Sequence, residues 1–298
     1  MKLKFHLKEV KIIILIFLLF PSLIKAQNTS QTSEINPDST KSITKKAVHS
    51  LFAGAGYGSN MIYLGSTISL DKPFEYASIT YGLNNTFYLS GSATHIADIN
   101  PFAAIYTISA AYNHTFNSWF DLGAGISRYE VPFTLEDTLF SSFMYGEADF
   151  GIDWRILYTK LCVGGILAEE DNMYFQIKNS RYFQTPEFTR KKLYVSFDPY
   201  INLLFGTLTK SETTTGTVVN ISPPFRKQGN SGTHSTTTTK YTNVFGIMEL
   251  DMGIPITLNS TNLTIEAEPG YIYPVYEDAV YPGTKGFIFM FSAFVRIF

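Results

Sequence analysis

The chain has 298 residues, of which 45% are hydrophobic, 16% charged and 15% aromatic, with a formal net charge of −2. Soluble domains carry roughly 25% charged residues, so this composition excludes an ordinary solvated surface. The single cysteine, Cys162, excludes an intramolecular disulfide, and within LCVGGIL it reads as a small packing residue.

Residues 1–26 open with Lys2, Lys4, Lys8 and Lys11, continue through an apolar run at 12–24, and end on Lys25-Ala26-Gln27. A basic start, an apolar middle and a small residue before a polar one predict a secretory signal peptide cleaved near Ala26. Its removal takes away five Lys and one Glu, leaving 18 basic against 24 acidic residues, a net charge of −6. Nucleic-acid binding therefore has no electrostatic support. Residues 27–46 are rich in Ser, Thr, Asn and Lys and free of aromatics, which predicts a disordered lead-in.

After the leader no apolar run reaches the roughly 20 residues of a membrane helix. From 47 to 298 the apolar residues recur with period two between turn signals, which predicts strands. The first spans 50–70, irregular around Gly56–Asn60, and 71–73 breaks it. Strands at 74–83 and 86–96 flank Asn84-Asn85, a dipeptide whose side chains tolerate a turn. Further strands are expected at 102–116, 119–130, 139–153, 156–168 and 173–183. At 192–205 the alternation is clear: Leu193, Val195, Phe197, Pro199, Ile201, Leu203 and Phe205 oppose Lys192, Tyr194, Ser196, Asp198, Tyr200 and Asn202. Pro199 removes a ladder donor and predicts a bulge. Residues 207–241, rich in Thr, Ser and Gly, form either a disordered outer loop or two strand extensions. Strands at 242–257, 263–275 and 286–298 complete the chain. In the last, Phe287, Phe289, Phe291, Ala293, Val295 and Ile297 make an unbroken apolar face, opposite Ile288, Met290, Ser292, Phe294, Arg296 and Phe298.

An apolar face opposite a mixed one, over about 10 residues and many times, is the pattern of strands crossing an outer membrane. Short turns alternate with longer loops, as such barrels require. The expectation is an all-β fold, a closed antiparallel transmembrane β-barrel of about 12 strands, with 10 or 14 as alternatives. Lipid leaves no other spanning form for strands.

The signal ending Lys25-Ala26-Gln27, the asparagine-marked turns, the aromatic Phe298 and the segment FGIMELDMGIPITLNSTNLTIEAEPGYIYPV resemble small outer-membrane β-barrel proteins of Bacteroidota. The likeness extends over most of the mature chain. It implies that Phe298 is an assembly signal read by the barrel-assembly machinery. Asp137-Thr138-Leu139 resembles the O-glycosylation signal of the same bacteria.

Four acids share the inward phase: Glu249 and Asp251 on one strand, Glu266 and Glu268 on the next. Carboxylates that close need counter-charges or altered protonation. Arg296 is expected to reach Glu266, with Lys192 and Asp198 flanking the other side. Together these form a lumen charge cluster, read first as an ion network filling a narrow barrel and second as a cation-favouring constriction. His95 and His114 fall on the outward phase at strand ends, and His49 and His234 in the lead-in and the long loop, none beside a nucleophile and acid. No catalytic residue is therefore assigned. Gly54-x-Gly56-x-Gly58 lies within a strand and is no phosphate loop, and no His or Cys spacing fits a metal; no cofactor is expected.

The leading functional reading is a non-enzymatic envelope component with a lumen filled by Tyr194, Tyr200, Phe245, Met290 and Phe294. Its expected partners are outer-membrane lipids and envelope proteins met through the 207–241 loop. The alternatives are a small passive channel, favoured by the acids and the inward glycines, and an enzyme modifying envelope lipid.

Overall fold

A strand with an unbroken apolar row cannot leave that row in water, and here the rows share the outside of one ring. The computed structural model describes residues 47–136, 139–167, 173–188, 193–213, 216–219, 240–275 and 285–298. The signal peptide, the lead-in, Lys192 and Asp137-Thr138 lie outside them.

Twelve strands form a closed antiparallel barrel. They are β1 His49–Gly58, β2 Phe74–Leu83, β3 Phe87–Ile96, β4 Ile105–Asn117, β5 Phe120–Glu130, β6 Phe143–Asp153 and β7 Tyr158–Leu167. There follow β8 (Met173–Ser180 and Phe183–Gln184), β9 (Tyr194–Phe197 and Tyr200–Thr213), β10 (Lys240–Gly253 and Ile256–Asn259), β11 Leu263–Pro274 and β12 Gly286–Arg296. Each pairs with its sequence neighbour, and β12 pairs with both β11 and β1, from Phe52↔Arg296 to Gly58↔Met290. Beyond that ladder the Leu51 N–H donates to the Phe298 carbonyl at 3.1 Å, and the Ile297 N–H to the Leu51 carbonyl at 2.8 Å. No helix among the described residues is long and apolar enough to cross a membrane.

The outward face is apolar. Ile79, Leu89, Ile108, Ile126, Phe150, Val163, Ile201, Leu263, Phe289 and Val295 are all exposed on it. Phe116, Trp119, Phe120, Trp154, Tyr182 and Phe183 gather near the short-turn end, as in the aromatic girdle of a membrane barrel.

Three sequence expectations need correction, and one open alternative is decided. The segment 50–70 is not one strand: β1 ends at Gly58, and 59–73 folds inward as a small hairpin, Ile62–Tyr63 against Ser66–Thr67. The 207–241 stretch contains strand extensions, since β9 runs to Thr213, Gly216–Val219 folds back on it, and β10 starts at Lys240; 220–239 lie outside the described residues. Phe245 points outward, 57% exposed, and packs beside Phe205 on the outer wall. Its phase changes because Leu204 pairs with Glu249 while Phe205 pairs with Ile247, leaving Met248 as the extra residue of a β-bulge. Met248, which strict alternation with the inward Glu249 would turn outward, is buried inside for the same reason.

The expected irregularity at Pro199 belongs to a diagonal line across four strands. The Arg181 N–H of β8 donates to the Pro199 carbonyl at 3.2 Å, the Asp198 N–H of β9 to the Pro255 carbonyl at 3.2 Å, and the Ile254 N–H of β10 to the Pro269 carbonyl at 3.0 Å. Each proline lacks a donor but accepts from the strand before it, so the ladder's gaps are confined to one line.

The inward hairpin packs inside the barrel toward the long-loop end of the lumen. Leu64 and Ile68 pack with Phe74, Ile96, Ile105, Phe143, Tyr145, Ile166, Tyr174, Leu204 and Met248, drawn from β2, β3, β4, β6, β7, β8, β9 and β10. At its tip Leu64 and Gly65 both have positive φ, 49° and 78°, as a tight hairpin turn of this hand requires. A leucine there costs about 1–2 kcal/mol, and burying its side chain returns about 1.5–3 kcal/mol. The turn is held by what it inserts into. Below it Asn60 knits the base, donating through Nδ2 to Asp71 Oδ1 at 2.7 Å and accepting from Thr67 and Ser69 hydroxyls at 2.8 Å.

Trp119 and Trp154 are the chain's two tryptophans, both exposed near the short-turn end. In reconstituted bilayers their fluorescence should be quenched more by lipids brominated near the headgroup than near the methyl end of the acyl chain. The opposite order would contradict an interfacial girdle.

Candidate functional site

Inside the wall the side chains are polar at mid-height and apolar beneath the hairpin. A cavity of about 530 Å³ lies between the two zones. Its lining includes Tyr63 of the hairpin, Tyr76, Tyr129, Tyr145 and Tyr200 of the wall, Gln176 and Asn202, and the carboxylates Glu147, Glu249, Asp251 and Glu268.

Register places these groups. Lys178 of β8 is opposite Asn202 of β9, which is opposite Asp251 of β10. One row toward the hairpin, Gln176, Leu204 and Glu249 follow the same order. The Asn202 amide donates through Nδ2 to Asp251 Oδ2 at 3.0 Å, and the Tyr200 hydroxyl donates to Glu268 Oε1 at 2.7 Å. Lys178 Nζ lies over the Tyr200 ring, 3.8 Å from its centroid. Glu249 is 6% exposed, and its carboxylate takes part in no hydrogen bond with the described residues. Burial above all pushes the Tyr63 hydroxyl well above its ordinary value of 10.0, so it stays neutral and hydrogen-bonded to Tyr129.

Glu249, Asp251, Glu266 and Glu268 thus line the lumen face, but their expected counter-charge is elsewhere. Glu266 pairs in register with Ser292, four residues before Arg296, and accepts from the Thr257 hydroxyl at 3.2 Å. Arg296 sits at the short-turn rim, where its Nε donates to the Phe298 carbonyl at 3.4 Å. Four residues of strand separate the two by roughly 13 Å along the barrel. Asp198 keeps a buried Oδ1 with no hydrogen-bond partner.

A second charged group on the facing wall was absent from the expected cluster. Lys160 Nζ pairs with Asp149 Oδ1 at 3.1 Å, the Tyr158 hydroxyl donates to Asp121 Oδ1 at 3.0 Å, and the Cys162 thiol donates to Glu147 Oε2 at 3.6 Å. The glycine-rich β7 and the short apolar face of β8 hide the phase of Lys160 and Lys178. A different signal was present: a lysine at mid-membrane on the lipid side costs about 2–4 kcal/mol, which alone turns both inward.

The inward glycines do not open the lumen. A Cβ on Gly54 would lie 2.5 Å from the Phe294 ring, one on Gly56 2.4 Å from Tyr76, and one on Gly58 2.3 Å from Phe74. They make room for rings.

The histidines stand apart from this chemistry. His49 contacts the Tyr81 hydroxyl, His95 Nδ1 contacts the Phe102 carbonyl at 2.7 Å and stacks on its ring, and His114 lies between Tyr112 and Phe116, all outward. His234 lies outside the described residues. No group of three His, Cys, Asp or Glu suited to a metal occurs among the described residues.

A closed antiparallel ring with an apolar outer wall and a charged interior defines an integral membrane β-barrel of the outer-membrane kind. No family model matches the sequence, and no curated protein matches it. Among solved structures, LpxR from Salmonella typhimurium is similar at a TM-score of 0.46 and 8% sequence identity, over 82% of this chain and 99% of that one.

Gly54→Ala should destabilise the barrel by about 1–3 kcal/mol through overpacking, read as a lower melting temperature of the compact, heat-modifiable band on gels. The same change in a Phe294→Leu background should cost less than in the wild type; equal costs would show that the ring does not occupy the glycine's space.

Proposed function

We propose that the chain is an outer-membrane barrel of Bacteroidota that does not conduct, and that it serves as a structural or binding component of the envelope. The observation that carries this reading is the apolar layer under the long loops, where Leu64 and Ile68 belong to one buried cluster with side chains from eight strands. An ion path needs polar or dewetting-prone space along its length, and a packed layer supplies neither. The acids lie below that layer, in a pocket rather than along a passage. In planar bilayers the purified protein should show no steady conductance steps. Leu64→Ser with Ile68→Ser, checked for folding by gel mobility, should introduce them. Stable cation-selective steps from the wild type would reject the reading.

A second reading, an enzyme acting on envelope lipid, is favoured by a separate observation on the outer wall. Glu75 and His95 are ladder partners on the outward face at the long-loop end, an acid beside an imidazole at the level of lipid headgroups. Two strands along the same face Arg128 pairs with Glu130 at 2.8 Å, a charged patch that suits a phosphorylated headgroup. Mass spectra of envelope lipid from cells with the gene, without it, and with Glu75→Gln or His95→Gln test this. Loss of one lipid species on deletion, restored by the wild type and not by either variant, is the expected pattern for an enzyme; identical spectra would remove the reading.

A further inference from the structure

We propose that the lumenal cavity is a binding site for a small organic ammonium ion that carries N–H donors. The inference rests on the closed-lumen reading, since the hairpin is the roof that makes the space a pocket.

The first observation is one of charge. Four carboxylates line the cavity, and among the described residues no Lys, Arg or His does. Lys178, on the same row as Asn202 and Asp251, is directed onto the Tyr200 ring and forms no ion pair with them. Lys160 is held by Asp149. The wall therefore presents more acid than base to a partly enclosed space, where charge acts more strongly than in water.

The second observation is one of hydrogen bonding, and it does not depend on the carboxylates being numerous. Asn202 is 8% exposed, and its Oδ1 has no partner. The orientation of this amide is set by its other end, because Nδ2 must donate to Asp251. Asp251 Oδ1 is likewise buried and unpartnered, and the Glu249 carboxylate accepts nothing from the described residues. Asn202 Oδ1 and Asp251 Oδ1, on residues opposite one another in the ladder, thus both lack a donor. A buried acceptor left unmet costs about 1–3 kcal/mol, so the missing component is a donor, and several donors on one ligand would meet them together.

The third observation concerns shape. The tyrosines Tyr63, Tyr76, Tyr129, Tyr145 and Tyr200 line the same space, and aromatic faces attract cations. A volume of about 530 Å³ lies within the roughly 300–1,000 Å³ of small-molecule sites. A bare metal ion fits poorly, since the carboxylates do not converge as a ligand set. Rings and acceptors together select an alkyl chain ending in an ammonium, and the unmet acceptors select N–H donors over a quaternary group.

The test is calorimetric titration of the full folded protein in detergent micelles with 1,5-diaminopentane, tetramethylammonium, calcium and the neutral 1,5-pentanediol. Saturable binding of the diamine at one site is expected, with tetramethylammonium weaker by roughly tenfold or more and no heat from the diol or calcium. Glu249→Gln should weaken the diamine roughly tenfold, while Glu187→Gln, at the exposed short-turn end, should leave it unchanged. The wild-type comparison of diamine with diol needs no variant, so a misfolded Glu249→Gln does not blunt the test. Absence of diamine binding overturns the proposal, as does equal binding of diol, calcium or tetramethylammonium. Bilayer recordings on the same preparation separate the two readings: a silent wild type that binds no diamine defeats this inference alone, and a conducting one defeats the closed lumen.

Discussion

A wall in lipid has no water to satisfy a stray backbone group, and the architecture follows from that rule. It explains why the ring closes, with β12 laddered to β1 and the terminal carbonyl of Phe298 engaged by Leu51. The same rule governs the irregularities. Three prolines occur in neighbouring strands, yet each carbonyl accepts from the strand before it, and the missing donors fall on one line. The bulge at Met248 turns one residue's worth of extra length inward, where it fills the roof of the lumen instead of breaking the outer wall.

The interior obeys a different constraint, that of filling a ring whose circumference is fixed by strand number. Small residues and rings alternate across facing strands: Gly54 with Phe294, Gly56 with Tyr76, Gly164 with Tyr145. What the rings leave open is the space beneath the hairpin, and charge has been distributed around it unevenly. On the β5–β7 side the acids have partners in Lys160, Tyr158 and Cys162. On the β9–β11 side Glu266, Glu268 and one oxygen of Asp251 are met, while Asp198 Oδ1, Asn202 Oδ1 and Asp251 Oδ1 are not. That asymmetry separates a structural ion network from a wall with unused capacity.

Much of this was legible because lipid punishes error on one face only. The outward rows of β9 and β12 follow from alternation, as do the lumenal positions of Asp251, Glu266 and Glu268. Period-two reading fails wherever a residue is inserted, and no local signal in FGIMEL separates a bulge from a continuous strand; Phe245 and Met248 exchanged faces for that reason. Alternation also carries no information on stagger between strands, so Arg296 was matched to Glu266 although the ladder sets it four residues away. The apolar Met61, Ile62, Leu64 and Ile68 suit a strand in the wall and a plug within it equally well. Only the positive φ at Leu64 and Gly65, a tertiary outcome, distinguishes them.

The hairpin is continuous with the strand that seals the ring. Ser59, the first residue past β1, receives the Phe289 N–H on its hydroxyl at 3.0 Å and gives its own N–H to the Phe289 carbonyl at 2.9 Å. The stopper and the zip therefore share a stitch. Withdrawing the hairpin would pull on the joint between first and last strands, and a barrel whose joint is still open has no complete socket for the hairpin to enter. Lid and vessel are finished in one step, and an opened lid is also a loosened seam.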